Sequence, residues 1–340
     1  MIREAINKLC QGEKLSYLQA KQVFLEIMEG KATPAQAAAF LVGLRIKTET
    51  TDEMRALAEI MREKSLKLNV AEKGSIVLDT CGTGGKPVKT FNISTCTAFV
   101  IASKGIKVAK HGNRSFSGVC GSADVIEGLG IDLSLEPKVV EEAVKEVGIG
   151  FLYAPLYHSA MRNVAAVRKE IGIRTIFNIV GPLTNPAGAT HQVLGVYSKD
   201  LTEKVAKVLR DLKTKRAFVV WGEDTYDEIS ISAKTKITEV KNKKIRTFYV
   251  SPRDFGLSRR SFSQIKGGRV EDNVNSVLGV LSAKPSARLD VVLANASACF
   301  VLAGLAKNFK QGVEVAREQI ESGAALKKLQ ELKEFLNSRK

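Results

Sequence analysis

Apolar positions recur at helical spacing through the first seventy residues, and the period then shortens. Ser16, followed three residues later by Gln19, has the form of a capping box and predicts a helix over 17–29. Thr33-Pro34-Ala35-Gln36 repeats the signal, with threonine as N-cap and proline at the first helical position. Leu41, Leu44 and Arg45 close that helix. Asp52 then starts another, with Met54, Leu57, Ala58 and Met61 on one face. From Ser75 the pattern changes. Ile76-Val77-Leu78 is a short buried strand running into the loop Gly82-Thr83-Gly84-Gly85. Residues 93–103 are apolar and helical, stopped by Gly105, and residues 106–109 form the next strand, ending at Lys110. Later helices are expected over 124–129, 137–147, 157–171, 201–212, 290–306 and from 312 onward. Later strands are expected over 193–197, 217–221 and 247–250.

A strand–loop–helix–strand order implies a parallel α/β layer with its ligand at the carboxyl ends of the strands. The chain therefore reads as a small helical N-terminal domain over 1–72 and a larger α/β domain over 73–340 with a mainly parallel central sheet. The turn-rich 157–190 stretch is able to pack back on the helical part.

Composition narrows the function classes. Hydrophobic content of 44% and charged content of 26% over 340 residues are those of a globular chain large enough for two domains. No apolar run reaches membrane-spanning length, and the charged start (Arg3, Glu4) is not that of a secretory signal. Cys10, Cys81, Cys96, Cys120 and Cys299 contain no C-x-x-C pair, which favours a reducing cytoplasm over a disulfide framework or zinc knuckle. The net charge of +16 raises the possibility of a polyanion partner. Its clusters, such as Lys241-Asn-Lys243-Lys244-Ile-Arg246, carry few interleaved aromatics to stack bases, so a lysine-rich solvated surface is the preferred reading and nucleic acid is not expected as a partner.

Two loops carry the candidate chemistry. In Lys110-His111-Gly112-Asn113-Arg114, two cations, an imidazole and a carboxamide surround a glycine, a set suited to an anionic or hydroxylated small molecule. Gly82-Thr83-Gly84-Gly85 alone says little. It lacks the spacing of a P-loop and the third glycine of a dinucleotide fingerprint. Asn92-Ile93-Ser94-Thr95, opening an apolar helix, adds free N–H groups and hydroxyls fit for an anion, or else plain helix capping. The adjacent carboxylates Asp227 and Glu228 can bridge hard cations, or can be a solvated acidic turn beside Glu223 and Asp224. His111, His158 and His191 do not share metal-ligand spacing.

Taken together and in order, GTGG at 82–85, TFNIST at 90–95, KHGNR at 110–114, GSADV at 121–125, FLYAPLYHSAM at 151–161, RTIFNIVGPLTNPAG at 174–188 and DE at 227–228 closely resemble the anthranilate phosphoribosyltransferases. The resemblance covers most of the chain. It implies a hinge between the two domains, a homodimer, and magnesium-dependent use of phosphoribosyl pyrophosphate, with two Mg2+ ions per site. Gly82, Gly85, Lys86, Thr90, Asn92, Ile93, Ser94, Thr95, Lys110 and Ser122 would then surround the phosphoribosyl pyrophosphate. Ser94, Asp227 and Glu228 would hold the metal. Gly82, Asn113, His111, His158, Arg168 and Pro182 would line the anthranilate path. Lys110 and Arg168 would be the catalytic pair, Lys110 at the diphosphate and Arg168 on the anthranilate carboxylate.

The chain departs from the family pattern at four places. Lys86 stands where aspartate usually follows GTGG, Trp221 where histidine is common, Tyr226 where leucine precedes the carboxylate pair, and Ala166 where proline often precedes Val-Arg. Three other readings compete: a nucleic-acid-binding relative of the fold, a pyrimidine nucleoside phosphorylase, and a transferase for another aromatic amine acid. Retention of KHGNR, Arg168 and the carboxylate pair speaks against the first. Asn113-Arg114, absent from the phosphorylase pattern, speaks against the second.

Overall fold

The computed structural model describes residues 1–72, 74–84, 89–115 and 120–339. The chain opens with four helices: α1 (Ile2–Cys10), α2 (Tyr17–Met28), α3 (Pro34–Lys47) and α4 (Thr51–Lys64). Both expected capping boxes form, Ser16 with Gln19 and Thr33 with Gln36, and Thr50 with Glu53 makes a third. Each satisfies two of the amide donors that a helix start leaves open.

The second part alternates strands and helices: β1 (Val77–Gly82), α5 (Ile93–Ser103), β2 (Lys107–Gly112), α6 (Ser122–Gly128), α7 (Pro137–Glu146), β3 (Ile149–Tyr153), α8 (Ala154–Tyr157), α9 (Arg162–Ile171), α10 (Ile176–Val180), β4 (His191–Gly195), α11 (Leu201–Asp211) and β5 (Arg216–Gly222). An antiparallel pair follows, β6 (Thr235–Lys241) and β7 (Lys244–Val250). Four helices close the chain: α12 (Val270–Leu281), α13 (Ala287–Ala303), α14 (Phe309–Glu321) and α15 (Ala324–Asn337). The single helix expected from 312 onward is thus two, broken at Gly323, whose φ of 77° no helix residue shares. The helix expected over 157–171 likewise divides into α8, a 3-10 turn at Ser159–Met161, and α9.

The sheet order is β3-β2-β1-β4-β5-β6-β7, parallel from β3 through β5 and antiparallel beyond. The order reverses between β1 and β4, and such a switch point leaves a crevice at the carboxyl ends of the two strands. Alternating side chains of the central strands feed two cores. Phe218 and Val220 join α5, α12 and α13 on one face, while Ala217, Val219 and Leu194 join α11, α9, α10 and the four N-terminal helices on the other. Arg62 of α4 ties the helical part to the rest. Its Nε donates to the Leu183 carbonyl (2.8 Å) and its Nη1 to the Leu212 carbonyl (3.3 Å). The Lys241–Arg246 cluster lies on the exposed β6–β7 hairpin at the sheet edge, where charge discourages pairing with another chain. No helix among the described residues is long and apolar enough to cross a membrane.

Candidate active site

Strands β1 and β2 pair only at Val77–Lys107 and Leu78–Val108, whereas β1 continues against β4 to Gly82–Gly195. Side chains bridge the gap where the β1–β2 ladder stops. The Asp79 carboxylate accepts the His111 backbone N–H (3.2 Å), and the Asn185 carboxamide donates to the Ala109 carbonyl (2.8 Å). Lys110 reaches across to donate to the Thr80 carbonyl (2.5 Å) and to Ser94 Oγ (3.2 Å). Lys110 and His111 therefore sit within β2 and not on the loop after it, correcting the expected strand end at Lys110. Lys110 is 2% exposed. Burial pulls its pKa down, and the field of Asp79 is the largest influence opposing that shift.

The carboxylate pair is delivered by the loop after β5. This loop packs so closely over the strand ends that side chains are excluded there. A Cβ on Gly195 would lie 1.7 Å from the Asp227 carbonyl oxygen, one on Gly82 2.8 Å from Asp227 Oδ2, and one on Gly222 2.7 Å from the Glu228 carbonyl oxygen. Tyr226 takes φ 58° and exchanges backbone hydrogen bonds with Gly222. Thr225 Oγ1 donates to the Glu228 carbonyl (2.8 Å), and Asn295 of α13 brackets Ile229, accepting its N–H (3.1 Å) and donating to its carbonyl (3.3 Å). As a result Ser94, Asp227 and Glu228 line one cavity, together with Thr80, Cys81, Gly195, Asn295 and Cys299. A hydroxyl and two carboxylates are hard oxygen donors of the kind magnesium takes. Among the described residues no group of three or more His, Cys, Asp or Glu forms a self-sufficient cage. That fits an ion completed by substrate oxygens and water.

A second cluster borders the first. The rings of His111 and His158 stand 5.1 Å apart. Burial is the main cause that pushes His111 down to about 3 and His158 to about 4, so both are neutral at pH 7. Pro182, in the 3-10 turn Gly181–Leu183, offers its carbonyl to Gln192 Nε2 (2.6 Å), which also donates to Asp79 Oδ2 (3.3 Å). Arg168, on α9, lies over the Phe177 ring at 5.2 Å, its Nε lacks a hydrogen-bond partner among the described residues, and burial lowers its pKa. No hydrogen bond or ring contact joins Arg168 to the two histidines or to Pro182 among the described residues.

The remaining expected residues divide. Asn92 is the N-cap of α5 without a side-chain cap bond and accepts from the Cys120 thiol (3.7 Å). Ser94 and Thr95 are not caps. Ile93 and Thr95 are fully buried, leaving Ile93 only its backbone to offer. Thr90 forms an isolated bridge with Lys266. Ser122 opens α6 and donates to the Asn113 carbonyl (3.3 Å), and Asn113 Oδ1 accepts the Arg114 N–H (2.8 Å). Arg114, read as a second ligand-facing cation, is engaged by Glu127 (2.6 Å) and Asp124 (2.8 Å), which in that order raise its pKa. Gly85 and Lys86 lie outside the described residues. Asp79, Gln192, Asn295, Gly195 and Gly222 were not singled out from the sequence. A lone carboxylate directly after the apolar run 76–78 and glycines closing two strands were the available signals.

Residues 3–65 match the model of the glycosyl transferase family helical bundle domain, and residues 74–326 that of the family's a/b domain. An anthranilate phosphoribosyltransferase of Persephonella marina is 48% identical, covering 98% of this chain and 99% of its own. The crystal structure of the Thermus thermophilus enzyme of that name superposes with a TM-score of 0.91 at 40% identity, covering 98% and 99% of the two chains. The Saccharomyces cerevisiae enzyme in complex with PRPP and Mg gives 0.89 at 28% identity over 99% and 98%. With its helical bundle, its switch-point crevice and its carboxylate loop, the chain belongs to the anthranilate phosphoribosyltransferases, pentosyltransferases of the glycosyl transferase family.

Proposed function

We propose that this chain transfers the 5-phosphoribosyl group of phosphoribosyl pyrophosphate to the amine of anthranilate, releasing pyrophosphate, as the second step of tryptophan synthesis from chorismate. The carrying observation is the cavity at the switch point lined by Ser94, Asp227 and Glu228, with buried Lys110 bonded to Ser94. Gly82, Thr90, Asn92, the Ile93 backbone, Ser94, Thr95, Lys110 and Ser122 bind the sugar diphosphate, with Gly85 and Lys86 on the adjoining segment. Ser94, Asp227 and Glu228 would hold two Mg2+ ions, which would neutralise charge on the diphosphate. Lys110 adds a buried cation where negative charge builds on the leaving group. Gly82, Asn113, His111, His158 and Pro182 line the anthranilate path, and Arg168 grips its carboxylate through a planar fork that lysine lacks.

An aniline nitrogen is neutral at pH 7, so no strong base is required to expose its lone pair. The neutral His111–His158 pair supports that reading, because it presents an uncharged wall to an aromatic ring. Orientation of two bound substrates can supply roughly 7–11 kcal/mol of the acceleration. Lys86 would contact the diphosphate directly and reduce dependence on the second ion. Unchanged magnesium optimum and KM for phosphoribosyl pyrophosphate in Lys86→Asp would exclude that role. The same reading takes the chain as a cytoplasmic homodimer, and light scattering that finds only monomer would remove the dimer.

The direct test is loss of anthranilate fluorescence on addition of phosphoribosyl pyrophosphate and magnesium. Wild type turns over, a chelator abolishes it, and Arg168→Ala and Glu228→Ala lose roughly 10²-fold or more. Equal rates in all three proteins would remove both side-chain assignments.

A further inference from the structure

Asp79 is fully buried, yet nothing in the reaction outlined above uses it. A carboxylate in that position is costly unless each oxygen is satisfied and its charge is needed. Both oxygens are satisfied. Oδ1 accepts the His111 N–H, and Oδ2 accepts Gln192 Nε2, the same amide that holds the Pro182 carbonyl. Burial raises the Asp79 pKa, and the field of Lys110 is the largest influence opposing that rise. Reciprocally, Asp79 is the largest influence favouring the Lys110 cation. Asp79 stands where the β1–β2 ladder has ended, so its carboxylate does the work of a missing backbone partner next to Lys110.

We propose that Asp79 is a positioning residue that acts through Lys110. Its bond to the His111 N–H holds β2 apart from β1 at the width Lys110 needs to span to the Thr80 carbonyl and Ser94 Oγ. Its charge balances a cation that has almost no access to water. Gln192, itself fixed on the Pro182 carbonyl, donates to the other carboxylate oxygen and so sets where Asp79 sits beside Lys110. An ordinary structural carboxylate has no reason to depend on Lys110 for its effect on turnover, and that difference is measurable.

The inference rests on the transferase reading and on Lys110 acting in it. The experiment is a double-mutant cycle of Asp79→Asn, Lys110→Met and the pair, read by steady-state anthranilate fluorescence with thermal unfolding alongside. Asp79→Asn should lower kcat roughly 10²-fold with the KM for anthranilate changed less than about threefold. In the Lys110→Met background the same change should alter kcat by less than about threefold, because the group it acts through is gone. Equal losses in both backgrounds, or full activity in Asp79→Asn, would overturn the proposal. Where Asp79→Asn alone fails to fold, Lys110→Met against the double variant decides, since removing both charges leaves none buried alone. A further loss in the double variant overturns the proposal, and parity supports it. Absence of turnover in wild type would instead defeat the underlying transferase reading, whereas full activity in Lys110→Met would leave that reading standing and overturn the proposal, which acts through that side chain.

Discussion

Gly195→Ala tests the idea that the carboxylates are placed by backbone contact. The added Cβ would meet the Asp227 carbonyl oxygen at 1.7 Å, its carbonyl carbon at 2.4 Å and its Cα at 2.7 Å. None of these is the far end of a flexible side chain, so rotamer change relieves nothing. Reaching an ordinary contact of 3.4 Å requires the strand end and the loop to part by about 1.7 Å. The β4 side is held by β1 and β5, with Gly195 paired to Gly82 and to Val220. The loop is the part that yields, carrying Asp227 and Glu228 away from Ser94. Overpacking of this kind costs about 1–3 kcal/mol, which a chain with this much core survives. A displacement of an ångström or more at reacting groups costs on the order of 10²-fold in rate. The assay is turnover titrated with magnesium, beside thermal unfolding. The expected outcome is a folded protein whose kcat is down roughly 10²-fold and whose magnesium requirement is raised. Gly279→Ala is the control, because its Cβ meets only the Lys284 side chain at 3.8 Å within α12. Wild-type kcat and magnesium dependence in Gly195→Ala would refute contact placement of the carboxylates.

Three further outcomes follow from the same contacts. The Gly279→Ala control should itself gain about 0.5–1 kcal/mol in denaturant unfolding, the helix-interior advantage of alanine. Arg62→Ala removes two charge-assisted bonds and orphans the Leu183 and Leu212 carbonyls, so urea unfolding should report a loss of roughly 2–3 kcal/mol. The folded pKa values of His111 and His158, about 3 and about 4, lie below the ordinary 6.5, so the unfolded chain binds more protons below pH 6.5. Their contribution is complete above pH 6.5 and is lost as pH falls toward 4. At pH 5 each neutral imidazole costs about 2 kcal/mol, and the Tm difference between wild type and His158→Gln should narrow or reverse between pH 7.5 and 5. A pH-independent difference would contradict the neutral assignment.

The N-terminal helices were legible because capping boxes and apolar stripes are local signals, and Ser16-Gln19 and Thr33-Gln36 state their own boundaries. β3 was missed because Ile149–Tyr153 is a five-residue apolar run directly after a helix, too short for periodicity to separate from helix. β6 was missed because its apolar residues Ile237 and Val240 fall on opposite faces of the strand, one in each core, so Thr-Lys-Ile-Thr-Glu-Val-Lys shows no two-residue alternation. α12 carries two asparagines and a glycine, all weak helix formers, and takes its stability from packing. Of the site, the residues with unusual chemistry were visible: Lys110, Ser94, Asp227 and Glu228 stood out and meet around one crevice. Asp79 and Gln192 were not, because their role depends on two strands separating after Leu78, and separation of strands has no sequence signature.

Backbone contacts also decide what the unusual residues of this chain do. Tyr226 occupies a left-handed backbone position closed by two hydrogen bonds with Gly222, and Trp221 lies within the β5–β6 ladder opposite Lys236. The backbone at 221 is set by strand pairing, and the backbone at 226 by two hydrogen bonds with Gly222 at a φ of 58° that a β-branched residue would resist. The carboxylates that follow are held by Thr225, Asn295 and close contact with Gly195, all on other positions. A frame of this kind tolerates change at 221, and at 226 among residues that accept a left-handed backbone, while forbidding it at 195 and 222. The order of sensitivity among these four residues is therefore set by what a Cβ would strike, and not by how strongly each side chain departs from the family pattern.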